Sequence, residues 1–243
     1  KIAEKDDYPQ GIANAYNGIG FIYSAMNRYP DAIEAWENAL KIQRNLDDRL
    51  KEAKMLSNLS GCYNALKDPE SAKSYLTQAI RIQEEIGEDR TLAFPYAQLG
   101  NSCKELLDFS GAIENYTQAL SKFTSEEMEY WQGRVMILIS EVYIYLGMYE
   151  KGEHYLDRTE EINKQFNEPL ILGLCSFQKG QLLHKSREYQ EAIDLYIDSI
   201  DHPLYSVVEF INPDSLLFSY FSDRWRTRPI SFYKHSTISL IRK

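Results

Sequence analysis

Residues Tyr16–Ala39 read YNGIGFIYSAMNRYPDAIEAWENA. Bulky Tyr16 is followed at +3 and +4 by Ile19 and Gly20, and then by Tyr23; beyond a turn-like NRYP come Ala32, Trp36 and Ala39. Side chains three and four apart share one face of a helix. The stretch therefore predicts two amphipathic helices joined by a tight turn, with a small residue on each helix where the two approach. A glycine inside a helix costs about 1 kcal/mol relative to alanine, so Gly20 at this phase needs a packing reason.

Moving outward in steps of 40 residues, the pattern returns. Leu56, Leu59, Ser60 and Tyr63 precede Ala72, Leu76 and Ala79. Tyr96, Leu99, Gly100 and Cys103 precede Ala112, Tyr116 and Ala119, and Met136, Ile139, Ser140 and Tyr143 precede Gly152, Leu156 and Thr159. The fifth copy has Gly180 and Leu183, then Ala192, Tyr196 and Ser199; its start is weaker, with Ser176 and Lys179 at bulky positions. The turns are expected at Asn27–Pro30, Lys67–Pro69, Asp108–Gly111, Gly147–Tyr149 and Ser186–Glu188.

This pattern resembles the tetratricopeptide repeat (TPR) family, whose unit is a bulky residue, then Leu-Gly, Tyr, Ala, a bulky aromatic and Ala. The resemblance covers about residues 10–202. Its units are longer than the family's usual length of about 34 residues. In this they are similar to kinesin light chains, LGN/Pins adaptors, Rap-type regulators and TPR arrays of bacterial signalling proteins. The resemblance implies an all-α, right-handed α-α superhelix, a TPR solenoid of five helix-turn-helix units spanning residues 1–205. Asn212-Pro213-Asp214-Ser215 reads as a helix start, and Leu217, Phe221 and Trp225 form an apolar seam. Residues 206–226 are therefore expected to form a capping helix over the last repeat, leaving 227–243 as an unassigned basic tail.

Charge narrows the partners. The 243 residues carry a formal net charge of −9, with 27 basic and 36 acidic side chains. Six of the basic residues lie between Arg224 and Lys243, where no acidic residue occurs. The acidic body disfavours nucleic acid, whose phosphates it repels. No apolar run reaches the roughly 20 residues needed to span a bilayer. Cys62, Cys103 and Cys175 form no close pair, which suggests reduced thiols and a cytoplasmic protein. A chain that opens on Lys1 rather than Met is read as a segment of a larger protein.

No constellation carries catalysis. His154, His184, His202 and His235 sit in no metal-ligand spacing. Gly18-Ile19-Gly20 lacks the rest of a phosphate loop, and its phase puts it inside a helix. Glu84–Glu85 and Glu160–Glu161 point different ways on their helices and read as solvated surface. No enzyme activity, cofactor or metal is expected.

The resemblance instead places a concave groove along the first helices. By phase, the candidates for peptide contact are Asn17, Phe21, Lys54, Asn58, Asn64, Gln98, Asn101, Lys104, Arg134, Glu141, Gln178, Gln181 and His184. A side-chain amide offers a donor and an acceptor together, as the backbone of an extended peptide does. The chaperone-tail "carboxylate clamp" of the family is not expected. Asn58 matches it, but Asn17 and Phe21 replace its Lys and Asn, and Phe94 and Gln98 replace its Lys and Arg. The expected function is a non-catalytic scaffold for a protein or peptide, as a regulatory or sensory segment of a signalling protein. The alternative is a self-association or spacer module without a peptide ligand, and a remote one is an enzyme with an unrecognised site.

Overall fold

A computed structural model describes residues 8–201. The described residues hold ten α-helices, one short 3₁₀ turn and no strand. The helices are α1 (Pro9–Ala25), α2 (Tyr29–Asn45), α3 (Arg49–Ala65), α4 (Pro69–Glu85), α5 (Ala93–Glu105), α6 (Phe109–Ser125), α7 (Glu129–Tyr145), α8 (Tyr149–Phe166), α9 (Pro169–Lys185) and α10 (Tyr189–Asp201), with the 3₁₀ turn at Asp89–Thr91. Consecutive helices pair as five hairpins, α1 with α2 through α9 with α10. The expected capping helix 206–226 and tail 227–243 lie outside the described residues.

The turns are tighter than the sequence suggests. Pro30 and Pro69 stand in the first turn of α2 and α4, where the missing N–H of proline has no helical partner to lose. Asp108 likewise ends its turn as an N-cap, its carboxylate accepting from the Gly111 N–H at 3.0 Å, so Gly111 is helical. Asp48 and Asp68 cap α3 and α4 in the same way. Between helices one residue adopts a left-handed conformation, and these recur every 20 residues or so: Asn27, Asp47, Lys67, Gly87, Leu107, Glu127, Gly147, Asn167 and Arg187. Two of the nine are glycine. Most turns close by a bond back into the preceding helix, for example Arg28 N–H to Tyr23 O at 2.9 Å and Asp108 N–H to Cys103 O at 2.9 Å.

The small residues do what their phase requires. A Cβ at Gly20 would meet the Trp36 ring at 2.6 Å, and one at Gly100 would meet the Tyr116 ring at 2.5 Å. In the second and fourth hairpins serine replaces the glycine, and the facing residue shrinks to Leu76 and Leu156, all of them fully buried.

The chain divides into two compact units, 1–127 and 128–243. In the first, α1–α4 pack a core that includes Trp36, Leu40, Met55, Leu56, Leu59 and Ile82. In the second, α7–α9 enclose Ile137, Ile144, Leu156, Ile171, Leu174 and Cys175.

Candidate functional site

In the first unit the predicted groove amides come together on α1, α3 and α5, joined by hydrogen bonds between helices. Asn17 Oδ1 accepts from the Trp36 indole N–H at 3.0 Å and from Asn58 Nδ2 at 3.3 Å. Indole nitrogen is a donor only, which fixes the orientation of the Asn17 amide. Asn101 Oδ1 accepts from the Tyr116 hydroxyl at 2.7 Å. Asn64 Oδ1 accepts from Ser102 Oγ at 3.2 Å, and Gln98 Oε1 lies 3.5 Å from Ser60 Oγ. The amide oxygens of Asn17, Asn64 and Asn101 are thus engaged inside the protein. Among the described residues, the Nδ2 groups of Asn17, Asn64 and Asn101 donate to nothing.

The other first-unit candidates differ in exposure. Phe21 is exposed and stands edge-to-face with Trp36, ring centroids 5.4 Å apart. Lys54 is exposed on α3, and Lys104 is half-buried on α5.

The second unit is less uniform. Arg134 on α7 lies over the Tyr130 ring and donates to its hydroxyl at 3.3 Å, and Glu141 on the same helix is half-buried. On α9, Gln181 is half-buried and His184 is exposed, 5.8 Å from the Tyr189 ring. Gln178 departs from the sequence reading. It is only 8% exposed, and its Oε1 has no hydrogen-bond partner among the described residues. Its position counts as groove-facing by phase, yet α9 is buried over most of its circumference, with Ser176, Phe177 and Gly180 also covered.

Comparison with known proteins identifies the repeat. The profile of the tetratricopeptide repeat family matches residues 11–85. The chain is similar to the solved structure of BtubC from P. vanneervenii, with a TM-score of 0.72 and 16% identity, covering 88% of each chain. The tetratricopeptide-like repeats of a Podosopora anserina kinesin light chain match with a TM-score of 0.67 and 14% identity, covering 79% of this chain and 94% of that one. Residues 11–85 thus match the tetratricopeptide repeat, and the described helices share the fold of solved tetratricopeptide-repeat proteins. Among curated proteins it is 23% identical over 122 residues to mouse outer dynein arm-docking complex subunit 4, which is 50% of this chain and 19% of that one. The matched stretch thus spans about a fifth of that relative. The fold is one used for protein–protein interaction.

The TPR architecture also makes a cleft that the sequence did not announce. It measures about 660 Å³ and lies between α2 and α4, with Lys41, Arg44, Ser74 and Gln78 on its walls and the stacked rings of Tyr63 and Tyr75 beside them. None of the groove candidates lines it. It lies between two second helices, a tertiary feature without a residue signature. Nearby, Glu52 is buried between Arg44 at 2.9 Å and Arg49 at 2.8 Å, and Arg49 reaches on to Glu85 at 2.8 Å.

The cysteines are buried and unpaired. Burial pushes the Cys175 thiol up to about 12 and raises those of Cys62 and Cys103, so none is poised as a thiolate at neutral pH. Among the described residues no three His, Cys, Asp or Glu side chains group as a metal site, and no helix is long and apolar enough to cross a membrane.

Proposed function

We propose that this chain is a non-catalytic scaffold that holds an extended segment of another protein along α1, α3 and α5, as a regulatory or sensory part of a larger signalling protein. The observation that carries this reading is the orientation of the groove amides. Their oxygens are occupied by Trp36, Tyr116 and Ser102, while the Asn17, Asn101 and Asn64 N–H groups stay available. A row of unused donors suits the backbone carbonyls of an extended peptide. Half-exposed Phe21 and Phe94 add apolar contact area beside them. The reading agrees with the docking role in the name of the dynein-arm relative.

The test exploits the amide orientation. Asn17→Asp with Asn101→Asp keeps the oxygens that Trp36 and Tyr116 need, but removes the donors. Peptides enriched on the chain from a random dodecapeptide display library should bind the double variant at least about tenfold more weakly, the loss of one or more hydrogen bonds. Thermal melting should stay close to that of the parent. Equal affinity for both proteins, or no peptide enriched at all, overturns the proposal.

A further inference from the structure

The cleft between α2 and α4 has a chemistry as well as a shape. Lys41 and Arg44 of α2 line it together with Ser74 and Gln78 of α4, and Leu40 and the stacked rings of Tyr63 and Tyr75 add apolar surface. We propose that this cleft is a binding site for a small phosphomonoester, whose phosphoryl group is held by Lys41, Arg44 and Ser74. None of these residues belongs to the groove set, so the inference is independent of the groove reading.

The donors are present and unspent. Arg44 gives its Nε to Glu52 at 2.9 Å, and Glu52 is itself buried. That bond pins the guanidinium, whose two terminal nitrogens donate to nothing among the described residues. Among the same residues Lys41 has no ion pair, and the Ser74 hydroxyl has no hydrogen bond. Gln78 gives one N–H to the Ser74 carbonyl at 3.2 Å and keeps the other. A phosphoryl group brings nearly two negative charges and three strong acceptor oxygens. A fixed guanidinium fork with an ammonium and a hydroxyl beside it supplies the matching donors. Glu37 lines the same cleft, roughly 10 Å along α2 from Arg44 at 1.5 Å per residue. Its charge repels a second phosphate, which excludes a polyanion such as a nucleic acid strand.

Repeat packing does not demand these charges. In the later repeats the positions of Lys41 and Arg44 hold Arg81 and Glu84, Ser121 and Thr124, and Glu161 and Lys164, so the basic pair does not recur. Where one cation remains, a carboxylate of its own helix meets it: Glu85 lies 3.8 Å from Arg81, and Glu161 lies 2.6 Å from Lys164. The position of Ser74 holds Glu114, His154 and Asp194. Size points to an ester rather than to free phosphate. A cleft of about 660 Å³ falls within the range of small-molecule sites, about 300–1,000 Å³, and holds far more than a bare phosphate fills. The organic part lies along Leu40 and the paired tyrosine rings.

The experiment titrates the full, isotope-labelled chain with inorganic phosphate, glycerol phosphate, adenosine monophosphate and a phosphoserine heptapeptide at low ionic strength, and follows the backbone amide resonances. At least one of the two esters should shift the amides of Lys41, Arg44, Ser74 and Gln78, and should bind more tightly than inorganic phosphate. Lys41→Gln should weaken that ester by about tenfold, the loss of one charged hydrogen bond. Glu37→Gln should strengthen it, because a like charge leaves the cleft. Arg44→Gln should also weaken it, but deprives buried Glu52 of a partner. Lys41 and Glu37 are exposed, so their variants keep the test on a folded protein. No shift at these amides with either ester, or an unchanged affinity in Lys41→Gln, overturns the proposal. So does binding of the phosphopeptide alone, because the phosphoryl group would then come from a protein side chain.

Discussion

Two kinds of hairpin alternate along this chain. The first, third and fifth set a glycine against a ring: Gly20 against Trp36, Gly100 against Tyr116 and Gly180 against Tyr196. The second and fourth set a serine against a leucine, Ser60 with Leu76 and Ser140 with Leu156. Both kinds trade volume across the helix pair. They differ in what they oblige the rest of the hairpin to supply. The serine hydroxyls bond back to their own helix, at 2.7 Å to Ser57 O and Ile137 O, and leucine has no polar atom. A buried ring with an N–H or O–H needs an acceptor nearby. Asn17 supplies it for Trp36 and Asn101 for Tyr116. Two of the groove amides are thus structural on one side of the carboxamide and available on the other.

Breaking the comparison at a ring should give the largest effect. Tyr116→Ala removes a fully buried ring from a site shaped around Gly100, and is expected to cost about 3–5 kcal/mol in urea or thermal unfolding. Leu76→Ala in the serine class should cost less, about 2–4 kcal/mol, because fewer atoms leave.

Swapping one class for the other sharpens the point. Gly100→Ser drives a side chain into the Tyr116 ring, and is expected to cost about 1–3 kcal/mol despite the better helix propensity of serine. Adding Tyr116→Leu should restore much of that loss. The coupling energy in the double-mutant cycle should exceed about 1 kcal/mol, and a purely additive cycle contradicts the volume-trading account.

The acceptor requirement gives a smaller, separable effect. Asn17→Leu strands the Trp36 indole N–H and should destabilise by about 1–2 kcal/mol. The isosteric Asn17→Asp, which keeps an acceptor, should cost clearly less. Equal losses for the two would mean that the bond to Trp36 contributes little.

The smallest effect concerns how the hairpins begin. The serine-class second hairpin has Asp48 and Asp68 as N-caps, while the first hairpin starts at Tyr8 and Arg28 with no side-chain cap. A bond from Lys51 holds the Asp48 carboxyl below its usual range, and one from Ser71 does so for Asp68, although partial burial of each works the other way. A depressed folded pKa means that the stabilisation is complete above the unfolded value and is lost as the pH falls through the folded one. The melting difference between the parent and Asp48→Ala/Asp68→Ala should therefore be present at pH 7 and shrink towards zero below about pH 4.

Much of this was legible from the 40-residue phase. The phase of Gly20, Ser60, Gly100, Ser140 and Gly180 located every hairpin, because helix packing demands small residues at fixed intervals. The turn boundaries were legible only in part. Pro30 and Gly111 are turn residues by habit, yet both stand in the first helical turn. The left-handed residues were hidden for a related reason. Leu107 and Glu127 adopt φ near +60° and +54° because backbone bonds close the turn around them, not because of any preference of their own.

The sequence by itself determined a helical hairpin repeated five times and which positions must be small, since these follow from periodicity and sterics that act within one unit. It also marked the groove amides as a set. Tertiary structure decided what each amide does with its two ends, that Gln178 is buried, that α2 and α4 enclose a cleft, and that Ile19 and Ile22 of α1 are exposed while Leu59 and Cys62 of α3 and Leu99 and Ser102 of α5 are buried. These depend on which neighbour lies across a given face, and a pattern along one chain specifies the face without specifying its occupant.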